Sequence, residues 1–234
     1  GSQWEYYTPS EIASGVWDLA SAMGFNGGSV LDPCCGAGIF EGTAPATAKI
    51  EASDIDPVSS KIASLLNPGA NVSVGRPFED MAKDASTDNT YDAVITNVPF
   101  GSARGASQAK DPAYSKESQV ELYFLQRLVD KLRPGGLLCC VVPTGVCSNT
   151  TGRFKKFRYS ISRKAEFLGA HRLPAGTFGG AGGNGTDVVT DVIVLRKHPK
   201  ELADKIANGL GDDVLKETNV LWQTFISGKW FEKD

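Results

Sequence analysis

The sequence predicts an α/β fold: a mostly parallel seven-stranded sheet with helices on both faces and an antiparallel edge strand. Three observations lead there. Short apolar, strand-like runs alternate with amphipathic helical ones, the order that builds a parallel sheet. A glycine-bearing turn follows the first strand, and a carboxylate stands at the end of each of the first two. Late in the chain, two β-prone runs flank a loop with five glycines, which predicts the antiparallel pair at the edge.

The elements follow in order. Thr8-Pro9-Ser10-Glu11 reads as a capping box with proline at the first helical position. Ile12, Val16, Leu19 and Met23 then recur at helical spacing. Gly27-Gly28 turns into a strand over 29–32, and Gly36 and Gly38 follow at once. A second strand spans 50–55. Asp56-Pro57 caps a helix whose apolar side is expected to carry Ile62, Leu65 and Leu66, closed by Asn67-Pro68-Gly69. A third strand covers 71–74 and a fourth 91–96, which runs into Asn97-Val98-Pro99-Phe100. Residues 101–116 are a polar loop. Val120, Phe124, Leu128 and Leu132 mark a long helix stopped by Pro134-Gly135-Gly136. The unbroken apolar run 137–142 is a buried strand, Arg153 to Arg158 a basic helix, and 167–173 and 188–195 the last two strands. No linker precedes Pro199, so residues 3–198 are expected to form one domain. The tail 199–234 reads as a helix with Trp222, Phe225, Trp230 and Phe231 packed on that domain or on a partner.

The 234 residues carry 24 Lys+Arg against 27 Asp+Glu, a formal net charge of −3, with 41% hydrophobic and 22% charged residues. That composition is globular, and the length buries a large core without metal or disulfides. The acidic balance excludes a globally basic nucleic-acid binder but leaves room for a local basic patch. No apolar run reaches the length of a membrane span, and no signal-peptide pattern opens the chain. The cysteines are Cys34, Cys35, Cys139, Cys140 and Cys147. Their odd number and lack of Cys-x-x-Cys or Cys/His spacing predict no metal site and a reducing, cytoplasmic setting.

Two places carry chemistry. In Asp32-Pro33-Cys34-Cys35-Gly36-Ala37-Gly38 the glycines let backbone N–H groups approach a ligand, although the dinucleotide spacing G-x-G-x-x-G is missing. Asp54 ends the second strand where a doubly wound fold places a carboxylate against ribose hydroxyls. Together they favour a nucleoside-bearing cofactor. The second place is Asn97-Val98-Pro99-Phe100 at the carboxyl end of the fourth strand, the edge where open α/β sheets bind ligands. An asparagine amide oxygen and the next backbone carbonyl can both accept hydrogen bonds from an exocyclic amine. Pro99 fixes the turn, and Phe100 offers a flat face to a purine.

In their order, Tyr6-Tyr7-Thr8-Pro9, Leu31 to Phe40, Ser53 to Pro57 and Asn97 to Gly101 resemble the motifs of S-adenosylmethionine-dependent N6-adenine DNA methyltransferases of the gamma arrangement, shared with type I restriction-modification subunits. Asp111-Pro112-Ala113-Tyr114, Leu132 to Gly136, Leu168 to Pro174 and Gly185 to Leu195 resemble the phage- and mobile-element-borne methyltransferases of the DarB antirestriction type, often fused to a helicase. The resemblance spans about residues 4–198. It implies a Rossmann-like class I methyltransferase fold and direct transfer of a methyl group to adenine N6 in DNA after base flipping.

Carried over by residue, the resemblance puts Tyr7 and Thr8 beside the methionine part of S-adenosylmethionine. Asp32, Pro33, Cys34, Gly36 and Gly38 line its amino-acid end, and Asp54 its ribose with Ile55 adjacent. Phe78 or Glu79 is the candidate contact for its adenine. Asn97, Val98, Pro99 and Phe100 form the catalytic turn, with Val98 where many relatives have proline. Phe100 and Phe178 would stack on the extruded base. Candidate DNA phosphate contacts are Arg104, Lys110, Lys116 and the Arg153–Arg158 cluster, in particular Arg153, Lys155 and Lys156. Specificity would come from a domain or helicase outside these residues, or be nearly absent. Two rivals share the motifs: methylation of an RNA base amine or a protein glutamine, and a methyltransferase-like scaffold without turnover.

Overall fold

The computed structural model describes residues 8–101, 111–178 and 189–226, and every structural statement below concerns these. In chain order, α1 (Ser10–Ala22) leads to β1 (Gly28–Asp32), α2 (Ile39–Gly42), β2 (Ala48–Ser53), α3 (Pro57–Leu66) and β3 (Asn71–Ser73). Then come α4 (Phe78–Ala82), β4 (Tyr91–Asn97), α5 (Val120–Lys131), β5 (Leu132–Pro143), α6 (Gly145–Ser148) and α7 (Gly152–Ser162). The chain closes with β6 (Ala165–Arg172), β7 (Thr190–Lys197), α8 (Lys200–Ala207) and α9 (Asp212–Ile226).

The seven strands lie in the order β3-β2-β1-β4-β5-β7-β6. β1 to β5 run parallel, and β7 is inserted antiparallel between β5 and the edge strand β6. The expected antiparallel pair therefore forms that end of the sheet, with the reversed strand one place in. Strand order reverses between β1 and β4, so the crevice beyond their carboxyl ends is the natural ligand position. Asp32 ends β1 and Asn97 ends β4.

Two apolar layers sandwich the sheet. On one face Leu31, Val94, Leu138 and Cys140 meet Leu122, Leu125, Leu128 and Val129 of α5 and Phe154, Phe157 and Ile161 of α7. On the other, Val30, Ala93, Ile95, Cys139 and Val141 meet Ala13, Val16, Trp17 and Ala20 of α1. This is period-two alternation along the strands meeting helical faces. The tail packs back onto the sheet. Trp222 of α9 stacks on Phe167 of β6, with centroids 3.7 Å apart and planes at 11°, and its Nε1–H donates to Ser162 Oγ at 3.2 Å. Trp230, Phe231 and the side chain of Phe225 lie outside the described residues.

Two local expectations are corrected. Helix α1 begins at Ser10 with Pro9 as its N-cap and no side-chain cap. The Thr8 hydroxyl instead meets Asn97, so the box that reads as a helix start is spent on another element. Asp56 does cap α3, accepting from the Ser59 amide at 2.7 Å. The face of α3, however, is inverted. Ser59, Ser60 and Ala63 are buried, while Val58, Ile62, Leu65 and Leu66 stand out, the last two at 67% and 69% exposure. The cause is close approach. A Cβ on Gly38 would meet Asn67 Nδ2 at 2.4 Å and Ala63 Cβ at 2.9 Å, and only small side chains fit a contact that tight.

Among the described residues, no helix is long and apolar enough to cross a membrane. All five cysteines are free thiols, four of them buried and Cys34 half-buried.

Candidate active site

The site forms at the carboxyl ends of β1, β2 and β4. Asp32 is 1% exposed, and its Oδ1 accepts from the Thr96 hydroxyl at 2.6 Å and the Cys34 amide at 3.1 Å. Its Oδ2 has no partner. Burial, the largest effect, raises the carboxyl to about 7 despite these two bonds. The loop beyond it is held from below: Asp54 Oδ2 accepts from the Gly36 amide and its Oδ1 from the Asp56 amide, both at 2.9 Å. Asp54 is half-buried, and Ile55 next to it is 70% exposed, an apolar surface at the rim. Gly36 has φ +50° and open space where a Cβ would stand.

Asn97 ends β4, paired with Val141 of β5. Its Nδ2 donates to Thr8 Oγ1 at 3.2 Å, and its Oδ1 is buried without a partner. Val98 is buried, with its amide donating to the Val141 carbonyl at 3.3 Å, whereas Pro99 is exposed and Phe100 half-buried against the core. The bend is fixed from α5. Glu121 Oε2 accepts from the Gly101 amide at 3.1 Å, and the Gly101 carbonyl accepts from the Val120 amide at 3.0 Å. Glu121 is buried and also receives the Gln119 side chain at 3.1 Å. Sequence reading missed it, because a glutamate in a helix's first turn looks like a solvent-facing residue.

Glu41 of α2 was missed for the same reason. It is 8% exposed, and neither carboxylate oxygen has a partner. Burial and then the charge of Asp32 raise its carboxyl to about 9.

The structure brings Thr8, Asp32, Asp54 and Asn97 to one edge and sets other candidates apart. Pro33 and Gly38 are buried. Gly38 serves packing against α3, with its carbonyl accepting from Asn67 Nδ2 at 3.1 Å, rather than the close ligand approach expected of it. Phe78 is 2% exposed, its ring 4.8 Å from that of Phe124, so it has no face for a ligand and Glu79, half-buried in the first turn of α4, is the candidate left. Cys34 packs on the core beneath the loop, and its thiol is raised by burial and by the charges of Asp32 and Asp54. Phe178 is half-buried against the other layer.

Helix α7 leaves the same edge of the sheet, with Arg153, Lys155 and Lys156 exposed in its first turns; Lys116 is exposed as well. Arg158 is not part of that surface. It is buried and donates to the carbonyls of Val146 at 3.1 Å and Asn149 at 2.7 Å, tying down α6. Tyr7, Arg104, Lys110 and the glycine loop lie outside the described residues.

Comparison with known proteins settles the lineage. Residues 65–211 match the N-6 DNA methylase family. The chain belongs to that family. It is 45% identical over all 234 residues to defense against restriction protein B of Escherichia phage P1, of which it spans only 10%. The StySPI type I restriction enzyme methylase subunit of Salmonella potsdam is 33% identical over 106 residues, 45% of this chain and 19% of that one. In fold, this N-6 methylase chain resembles a class I S-adenosylmethionine-dependent methyltransferase from Listeria monocytogenes, with a TM-score of 0.65 at 20% identity over 83% of this chain and 61% of that one. The chain is thus a member of the N-6 DNA methylase family on a class I, Rossmann-like fold. It spans a fifth or less of each of these two sequence relatives.

Proposed function

We propose that the chain transfers a methyl group from S-adenosylmethionine to the N6 amine of adenine in DNA. The observation that carries this reading is the amide of Asn97 at the end of β4: its nitrogen is engaged by Thr8, and its oxygen is buried without a partner. A buried acceptor left unmade costs about 1–3 kcal/mol, and an incoming amine would satisfy it. The residues present fit the cofactor. Asp32 Oδ2 lacks a partner, Gly36 leaves open space above the loop, and Ile55 offers an apolar surface beside Asp54.

When bound, S-adenosylmethionine supplies a methyl carbon already activated by its positive sulfur. The chain's own residues do the rest. Asn97 Oδ1 and the Val98 carbonyl accept the two amine hydrogens, which localises the nitrogen lone pair and stabilises the charge that develops. Thr8 and Glu121 hold the bend that aims them. Phe100 would stack on the flipped base, returning about 1–3 kcal/mol of the few that extrusion costs. Arg153, Lys155 and Lys156 would meet phosphates from α7. Residues 3–198 form the catalytic unit in this reading, and α9 docks the extension through Trp222. Specificity comes from outside these residues, and protection of DNA against restriction is the role that the phage relative suggests.

A labelled-methyl assay offering duplex DNA, folded RNA and protein, followed by nucleoside analysis, tests it. N6-methyladenine in DNA is the expected product. Label found only in RNA or protein overturns the DNA reading, and none in any substrate favours the scaffold.

A further inference from the structure

Helix α2 has only four residues, Ile39–Gly42, and starts from Gly38 in a left-handed conformation at φ +90°. That entry carries Glu41 to a buried place close enough to Asp32 for a protonated Glu41 to hydrogen-bond to it. Three oxygens collect there without a partner: Glu41 Oε1, Glu41 Oε2 and Asp32 Oδ2. The charges of Asp32 and Asp54, both negative, act on Glu41. Phe40, next to Glu41 in the chain, is buried, and its carbonyl accepts from the Nε1–H of buried Trp17 at 2.9 Å. Two carboxylates removed from water with nothing to pair them are costly to keep.

We propose that Glu41 and Asp32 together form the seat of a primary ammonium, the α-ammonium at the amino-acid end of the cofactor. This deepens the S-adenosylmethionine reading and rests on it. A primary ammonium has three N–H donors, one for each of the three oxygens that lack a donor when the carboxylates share no proton. A divalent metal is a poorer match, since no group of three or more His, Cys, Asp or Glu side chains among the described residues could hold one. Without ligand, one proton shared between the carboxylates keeps the pair at a single negative charge. The entering ammonium takes over that hydrogen-bonding role, and the proton leaves to solvent. Glu41 is therefore a binding residue of this chain in addition to the aspartate at the end of β1.

The test is calorimetric, on the 234-residue chain, with S-adenosylhomocysteine, which carries the ammonium, and 5′-methylthioadenosine, which lacks it. Glu41→Gln should weaken S-adenosylhomocysteine roughly 10- to 100-fold, the value of a charge-assisted hydrogen bond, and leave methylthioadenosine unchanged. In the unaltered chain, titrations in buffers of different ionisation enthalpy should show proton release near neutral pH with the first ligand only. That measurement needs no variant. Binding of both ligands with no difference on Glu41→Gln and no proton release overturns the seat while the cofactor reading stands. Failure of the unaltered chain to bind either ligand overturns both.

Discussion

The amide nitrogen of Asn97 donates to the hydroxyl of Thr8 across 3.2 Å, joining residues 89 positions apart in the chain. This bond anchors the amide, and its Oδ1 is the atom left without a partner. Thr8→Val should lower kcat about 10-fold with KM for the cofactor little changed, and Thr8→Ser should restore it. Asn97→Ala should abolish turnover and leave cofactor affinity intact by calorimetry. Equal losses in kcat and cofactor affinity for Thr8→Val would count against an orienting role.

Glu121 reaches from α5 to the Gly101 amide just beyond the catalytic turn. Glu121→Ala leaves that amide without its acceptor and should cost about 1–3 kcal/mol in urea unfolding. Turnover should fall further than stability explains. Glu121→Gln keeps an acceptor oxygen and should retain most of both.

The buried pair Asp32 and Glu41 makes stability depend on pH. Burial raises both carboxyls above their ordinary values, Asp32 to about 7 and Glu41 to about 9. The folded chain therefore holds protons that the unfolded chain has already lost, and stability falls as pH rises through that window. The melting temperature of the ligand-free chain should drop between pH 6 and 9, and Glu41→Gln should flatten the slope. A slope unchanged in the variant would show that other groups set it.

Gly36 and Gly38 look alike in sequence and differ in what surrounds them. Alanine at 38 meets Asn67 and Ala63 below 3 Å as well as a strained φ of +90°, and should unfold the loop or cost several kcal/mol. Alanine at 36 meets only the strain at φ +50°, about 1 kcal/mol, but its methyl enters open space above the loop. Thermal melts should rank the two, and cofactor affinity should suffer at 36 without global unfolding.

Trp222 covers Phe167 face to face. Trp222→Ala removes that stack and should cost roughly 3–5 kcal/mol. Chemical denaturation would measure it, and a loss below 1 kcal/mol would mean that α9 docks loosely.

The sheet was readable because each strand carries its own apolar run bounded by a turn, and Asp32, Asp54 and Asn97 were readable because strand ends converge by topology. Phe78 misled because an aromatic after a third strand looks the same whether it faces a ligand or Phe124. Ile62, Leu65 and Leu66 misled because hydrophobic periodicity marks a face without saying what lies against it, and here Ser59, Ser60 and Ala63 take the contact. Glu41 and Glu121 could not be found from spacing at all. Their importance comes from burial beside groups far away in the chain.

Four of the five thiols are sealed inside the sheet layers and α6, and the fifth, Cys34, is half covered and kept protonated by burial and by the charges of Asp32 and Asp54. Oxidants attack thiolates, and this molecule offers almost none. It should pass through peroxide stress without crosslinking to its neighbours, a resilience built into the packing and not borrowed from protective enzymes.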